Sequence, residues 1–168
     1  MERKLLLLGI LRQQEMHGYQ LYEYIDKALS ACTDMTKPTA YYILNKMADE
    51  GWISEELTQE GNRPPRKVYR LTPLGEAEFQ HLLRENLAHF TPVNFPDVIG
   101  LAFLDLLPVE ESNALLKQRR EELKEALQAA QSTPTHPGSL QWVVKHQIDY
   151  LTWELDWVDQ LIKEKHAS

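Results

Sequence analysis

At 168 residues and 43% hydrophobic content, the chain is long enough for one or two domains with a buried core, and its single cysteine, Cys32, excludes an internal disulfide. No run approaches the roughly 18 apolar residues of a membrane-crossing helix. The Leu5-Leu6-Leu7-Leu8-Gly9-Ile10-Leu11 run is short and has no cleavage pattern after it, so a reducing cytoplasm is the expected location. The formal net charge of −7 speaks against a nucleic-acid partner until it is divided along the chain. Residues 1–75 hold ten Lys/Arg and ten Asp/Glu, whereas residues 76–168 hold eight and fifteen, so the acidic excess lies wholly in the second part.

Residues 2–14 form a first helix with a dense leucine face, broken at His17-Gly18. A second helix over 19–29 carries Leu21, Tyr22, Ile25 and Leu29 as its apolar stripe, and 31–35 turn the chain into a third. The third helix follows Thr36 as N-cap, with Pro38 in its first turn and Gly51 as the left-handed residue at its end. Ala40, Ile43, Leu44 and Met47 recur at helical spacing and make its apolar back. Thr39, Tyr42, Asn45 and Lys46 then face outward.

Trp52-Ile53-Ser54-Glu55 reads as a strand and Lys67-Val68-Tyr69-Arg70-Leu71 as its antiparallel partner. Between them, Gly61, Asn62, Arg63, Pro64, Pro65 and Arg66 make an irregular loop stiffened by two prolines. Helix, glycine, strand, basic loop, strand is the winged helix-turn-helix order. Such a helix enters a major groove while the loop runs along the backbone or into the minor groove. The DNA-contacting candidates are Thr36, Lys37, Thr39, Tyr41, Tyr42, Asn45 and Lys46 on the helix, with Arg63, Arg66 and Lys67 on the wing. Lys37, Lys46, Arg63, Arg66, Lys67 and Arg70 are the cations of this front. Asn45 suits a bidentate pair with an adenine edge, although a solvated polar residue reads the same way. Adjacent helical residues diverge by about 100°, so Tyr41 and Tyr42 cannot both be core, and geometry alone would let Tyr42 reach the backbone.

Thr72 caps a fourth helix, with Pro73 at its first position, that runs to about Phe90. The two prolines of Thr91-Pro92-Val93-Asn94-Phe95-Pro96 mark the domain boundary: 1–90 a DNA-binding domain, 91–168 a helical dimerisation domain. Beyond it, residues 97–107 form a short apolar helix and Pro108 starts the next. Residues 110–131 carry Leu116, Leu123, Leu127 and Ala130 on one face. After the turn at Pro134-Thr135-His136-Pro137-Gly138, Ser139 caps the last helix.

In that last helix Val144, Ile148, Leu151, Leu155, Val158 and Ile162 step by 4, 3, 4, 3 and 4, a heptad seam. Trp142, Tyr150, Trp153 and Trp157 occupy the other side. A helix apolar on two opposed faces exposes one of them unless a partner covers it, so the chain is expected to be a homodimer. The seam is the candidate interface. The aromatic side is either plain packing or the wall of an effector pocket. Six histidines show no paired ligand spacing, and no phosphate loop, nucleophile elbow or Ser/His/Asp grouping occurs. No enzyme, cofactor or metal is therefore expected.

The chain resembles the PadR family of bacterial transcriptional regulators. Three runs carry the resemblance: His17-Gly18-Tyr19 with Leu21; Thr39-Ala40-Tyr41 through Asp49-Glu50-Gly51-Trp52-Ile53; and Arg63-Pro64-Pro65-Arg66-Lys67-Val68-Tyr69-Arg70-Leu71-Thr72-Pro73-Leu74-Gly75. Pro38 and Tyr42 depart from the family pattern, which commonly has glycine and often proline there. The resemblance continues weakly through Leu106-Leu107-Pro108 and residues 153–161. It implies a mainly α fold: a winged helix-turn-helix domain with a two-stranded wing, then an all-α dimerisation domain. It also implies a repressor that binds a near-palindromic operator and is released by a small aromatic effector, with Tyr41 contacting the DNA backbone through its hydroxyl. The rival expectation is a winged-helix protein–protein interaction module without DNA binding.

Overall fold

The computed structural model describes residues 1–28, 33, 35–59 and 66–167, the side chains of 26–28 and 166–167 excepted. Leu29, Ala31, Cys32 and the loop residues Gly61, Asn62, Arg63, Pro64 and Pro65 lie outside the described residues. The chain divides into two compact units, Met1–Pro92 and Val93–Ser168.

The first unit contains α1 (Glu2–Gln13), β1 (Met16–His17), α2 (Gly18–Ala28), α3 (Lys37–Asp49), β2 (Ile53–Thr58), β3 (Arg66–Leu71) and α4 (Pro73–Ala88). Its core joins Leu7, Leu8, Ile10 and Leu11 of α1 to Leu21 and Ile25 of α2 and to Ala40, Ile43, Leu44 and Met47 of α3. Ile53, Tyr69 and Leu82 complete it. Each fully buried aliphatic side chain contributes on the order of 1.5–3 kcal/mol. The back of α3 is therefore a strong determinant of how that helix is rotated.

The wing is two-stranded: β2 and β3 pair antiparallel from Ile53 opposite Leu71 to Thr58 opposite Arg66. β2 begins at Ile53, one residue after the expected Trp52, and continues past Glu55 through Glu56, Leu57 and Thr58, which carry no alternating signal, while β3 begins one residue early at Arg66. A third strand joins them. Met16 pairs with Tyr69 and His17 with Val68, giving the order β1-β3-β2. Two residues are too few for a period-2 pattern, which is why sequence shows only a break at this point.

Three local devices hold the joint between α3, the wing and α4. Gly51 adopts φ +74, a conformation that costs other residues about 1–2 kcal/mol. The Thr72 hydroxyl accepts from the Gly75 N–H at 3.0 Å, capping α4 behind Pro73. Gly75 itself sits so close to the wing that a Cβ there would lie 1.9 Å from the Trp52 carbonyl oxygen.

The second unit consists of a 3₁₀ segment (Pro96–Leu106), α5 (Val109–Gln131) and α6 (Leu140–Ala167). The expected helix over 97–107 is thus wound in the tighter 3₁₀ form, with Ile99, Phe103 and Leu106 exposed. Pro108 is the N-cap of α5 and does not begin it. α5 and α6 pack on each other, burying Leu116 and Ala130 from one helix and Leu151 and Val158 from the other. Ion pairs tie the two helices: Arg119 Nη2 donates to Glu154 at 2.6 Å and to Asp97 at 2.7 Å, and Arg120 bonds Asp159. Glu154 is buried, and its charge is matched there by Arg119.

Gly75→Ala is expected to destabilise the first unit by about 3 kcal/mol or more, because the new methyl meets backbone and not a flexible side-chain tip. Urea unfolding followed by circular dichroism measures it. A midpoint equal to that of the wild type would mean that α4 does not press on Trp52.

Candidate nucleic-acid interface

Rotation of α3 is set by its buried back, so its remaining side chains are delivered outward. Tyr42 is 68% exposed, and Thr36, Lys37, Asn45 and Lys46 are exposed as well, while Thr39 and Tyr41 are half-buried at the flanks. Thr36 holds the N-cap position, but its hydroxyl pairs with that of Thr39 at 2.9 Å and leaves the backbone uncapped. Two hydroxyls therefore stand together at the start of the helix. Lys37 lies 5.0 Å over the Tyr19 ring, where the cation is held by the ring face without losing its charge.

On the wing the cations are unequal. Lys67 Nζ is 2.6 Å from Glu55 across the β2–β3 ladder. Arg70 binds both Glu15 and Glu56, and its guanidinium holds the Glu15 carboxyl below the usual glutamate range. Arg70 therefore ties the wing to the α1–β1 connection and is removed from the cationic front on which its sequence position places it. Arg66 is exposed at the start of β3. Arg63 lies outside the described residues. Behind the front, Lys4 pairs with Glu50 at 3.0 Å and stacks 4.2 Å over Trp52, and Arg12 pairs with Glu76 at 2.8 Å.

Residues from three separate places converge beside α3. Tyr41 and Asn45 from the helix, Arg66, Lys67 and Tyr69 from β3, and His17, Gly18 and Tyr19 from the β1–α2 junction line one cleft of about 640 Å³. Gly18 lets the Tyr41 ring approach the β1–α2 junction: a Cβ there would lie 2.6 Å from the ring. Tyr69 is buried beneath it. Burial, then the nearby Glu55 charge, push its phenol up to about 12. His17 and Tyr19 belong to no helix-front or wing pattern, and Tyr69 is read only as part of a wing strand, so spacing does not assign them to one site. Only the His17-Gly18-Tyr19 run signals the spot.

In the second unit the expected interface residues divide. Leu151 and Val158 are buried within the second unit, where α6 packs on α5. Val144, Ile148, Leu155 and Ile162 are half-buried along the same side. The opposite face is the open one: Trp142 is 71% and Trp153 58% exposed, with Tyr150 exposed and Trp157 half-buried beside them. Trp153 and Trp157 stack, with centroids 6.5 Å apart and planes 17° from parallel. Among the described residues no helix is long and apolar enough to cross a membrane.

Residues 7–81 match the family described as "Transcriptional regulator PadR-like family". The chain is 28% identical over 116 residues to the negative transcriptional regulator PadR of Bacillus subtilis (strain 168), a match spanning 69% of this chain and 64% of the relative. It thus spans less than two thirds of that curated relative. The solved structure of Bacillus subtilis PadR in complex with operator DNA is similar with a TM-score of 0.82, at 22% identity and 96% coverage of both chains. That of the same protein in complex with p-coumaric acid is similar with a TM-score of 0.77, at 21% identity, covering 97% of this chain and 98% of that one. At these identities the likeness establishes the fold.

Tyr69 gives a pH signature. Its folded value lies above the ordinary value of 10.0, so the stability it contributes is present below about 10 and is lost as pH rises toward about 12. An alkaline titration followed by ultraviolet absorbance should show one tyrosine ionising in step with unfolding. Tyr69→Phe should remove that step. A titration unchanged by the substitution would contradict the burial of the phenol.

Proposed function

We propose that this chain is a cytoplasmic, homodimeric repressor of the PadR-like family, whose description residues 7–81 match, and that it reads a near-palindromic operator. The observation that carries this reading is the outward set of Tyr42, Asn45 and Lys46 on a helix rigidly rotated by its buried back. α3 enters the major groove. Asn45 and Lys46 meet base edges or phosphates, Thr36 and Thr39 offer hydroxyls to the backbone, and Lys37 adds a charge. Arg63, Arg66 and Lys67 follow the flanking phosphates from the wing. For Lys67 this requires exchanging Glu55 for a phosphate, so Arg66 carries more of the wing's attraction.

The second unit supplies the partner contact. Two copies bring two reading helices into register with half-sites about one helical turn apart. The solvent-facing aromatic side of α6, with Trp142, Tyr150, Trp153 and Trp157, is the surface a second copy or a small aromatic effector covers. An effector bound there shifts the population toward dimers whose reading helices no longer match the half-sites. The relative solved with p-coumaric acid makes a phenolic acid the first compound to try.

The purified chain should select a duplex from random-sequence DNA. Affinity for that duplex should fall by about 10³–10⁵ between roughly 50 and 200 mM salt if about 6–10 phosphates are neutralised. Lys46→Ala with Arg66→Ala should abolish binding and leave dimerisation intact by sedimentation. A flat salt profile, or a protein that enriches no duplex, would favour the protein–protein module instead. In a separate titration, p-coumaric acid should quench tryptophan fluorescence and weaken duplex binding together. Quenching without weakening would break the proposed link between the two.

A further inference from the structure

We propose that the cleft between α3 and the wing holds a sugar–phosphate segment of one DNA strand, and that His17 is a phosphate contact within it. This rests on the DNA-reading function proposed above and adds a third gripping element, the β1–α2 junction, to the helix and the wing.

The lining of the cleft suits that occupant and is placed for it. Arg66 and Lys67 bring positive charge to the lining, and Tyr41 and Asn45 bring a hydroxyl and an amide able to hydrogen-bond. Tyrosine faces at Tyr19 and Tyr41 form apolar surface against which a deoxyribose ring packs without sequence preference. His17 is part of the same lining. Its Nδ1 is out of contact with water and has no hydrogen-bond partner. An unpartnered buried polar atom costs about 1–3 kcal/mol, and the neighbouring protein groups do not relieve it. The His17 main chain, by contrast, is held in place: it lies opposite Val68 in the sheet, and its N–H donates to Gln20 Oε1 at 3.1 Å. The backbone of this residue is thus anchored while its imidazole is left without an internal task.

A phosphate drawn into the cleft by Arg66 gives the imidazole an acceptor. A modest rotation of the ring brings a protonated nitrogen to that oxygen. Gly18 is the condition for the arrangement. With any side chain at this position the Tyr41 ring is displaced, since a Cβ would stand 2.6 Å from one ring carbon and 3.2 Å from the hydroxyl oxygen. Among the described residues that line the cleft, the charged side chains are Arg66 and Lys67, and Glu55 pairs with Lys67 at 2.6 Å. The contact carries no base information, so it acts alike on all sequences.

The test uses the full chain, the duplex it selects from random-sequence DNA, and versions of that duplex with one phosphate at a time replaced by a neutral methylphosphonate. Wild type should lose affinity at one phosphate per half-site. His17→Gln should bind the unmodified duplex about 10- to 100-fold more weakly, with an unchanged ratio between selected and unselected sequences. At that one phosphate the variant should lose nothing further on neutralisation, because the contact is already gone. Arg66→Ala should show the same loss of coupling and a salt slope lower by about 1. Gly18→Ala should weaken binding too; if it does not fold, His17→Gln still decides. Full wild-type affinity in His17→Gln would overturn the inference, as would neutralisation losses in the variant equal to those of wild type at every position. A wild-type chain that selects no duplex would instead overturn the function on which it rests.

Discussion

The inner face of α3 is the constraint on which the reading surface depends. Leu44 and Met47 are buried outright, with Ala40 and Ile43 beside them, and they seat against the leucines of α1 and against Ile53 at the foot of the wing. A helix turns by about 100° per residue, so burying these four positions leaves no choice about the others. Tyr42, Asn45 and Lys46 go to solvent, and Thr39 and Tyr41 go to the flanks. Rotating the helix by a single residue to change what it presents would pull an aliphatic side chain out of the core. Specificity of this kind is inherited from packing energy.

Charge is distributed with a similar economy. The first unit holds 13 Asp/Glu against 11 Lys/Arg, so it gains a positive front only by occupying its acids elsewhere. Glu50 is engaged by Lys4, Glu76 by Arg12, and Glu15 and Glu56 by Arg70. These pairs are largely exposed, so each is worth little to stability. Their effect is geometric: they clamp α1 to the α3 terminus, to α4 and to the wing while leaving Lys37, Lys46 and Arg66 outward. Lys67 is intermediate, bound to Glu55 but at the rim of the cleft, where an incoming phosphate competes for it.

The α5–α6 hairpin resolves a conflict that the last helix sets up. Its heptad seam and its tryptophan face cannot both be covered by one neighbouring helix. α5 takes the seam at Leu151 and Val158, and Arg119 and Arg120 lock the pairing through Glu154 and Asp159. The indole face is left to solvent within the single chain. A 28-residue helix with stacked tryptophans open on one side has more apolar surface than a solvated helix retains.

Sequence alone determined the helices, the two-stranded wing and the winged-helix order, because each rests on local signals. These are the Thr72 cap with Pro73 behind it, Pro38 in the first turn of α3, the left-handed Gly51, and apolar residues at helical spacing. It also named most of the outward residues of α3, since periodicity decides which side of a helix is buried. Tertiary structure alone decided three things. Met16 and His17 became a strand because β3 was there to pair with them. Arg70 left the cationic front because Glu15, far from it in sequence, came within reach. Leu151 and Val158 turned inward because α5 covered that side of α6 first. Each depends on pairing between distant segments, and a one-dimensional pattern shows that a face must be covered without showing which segment covers it.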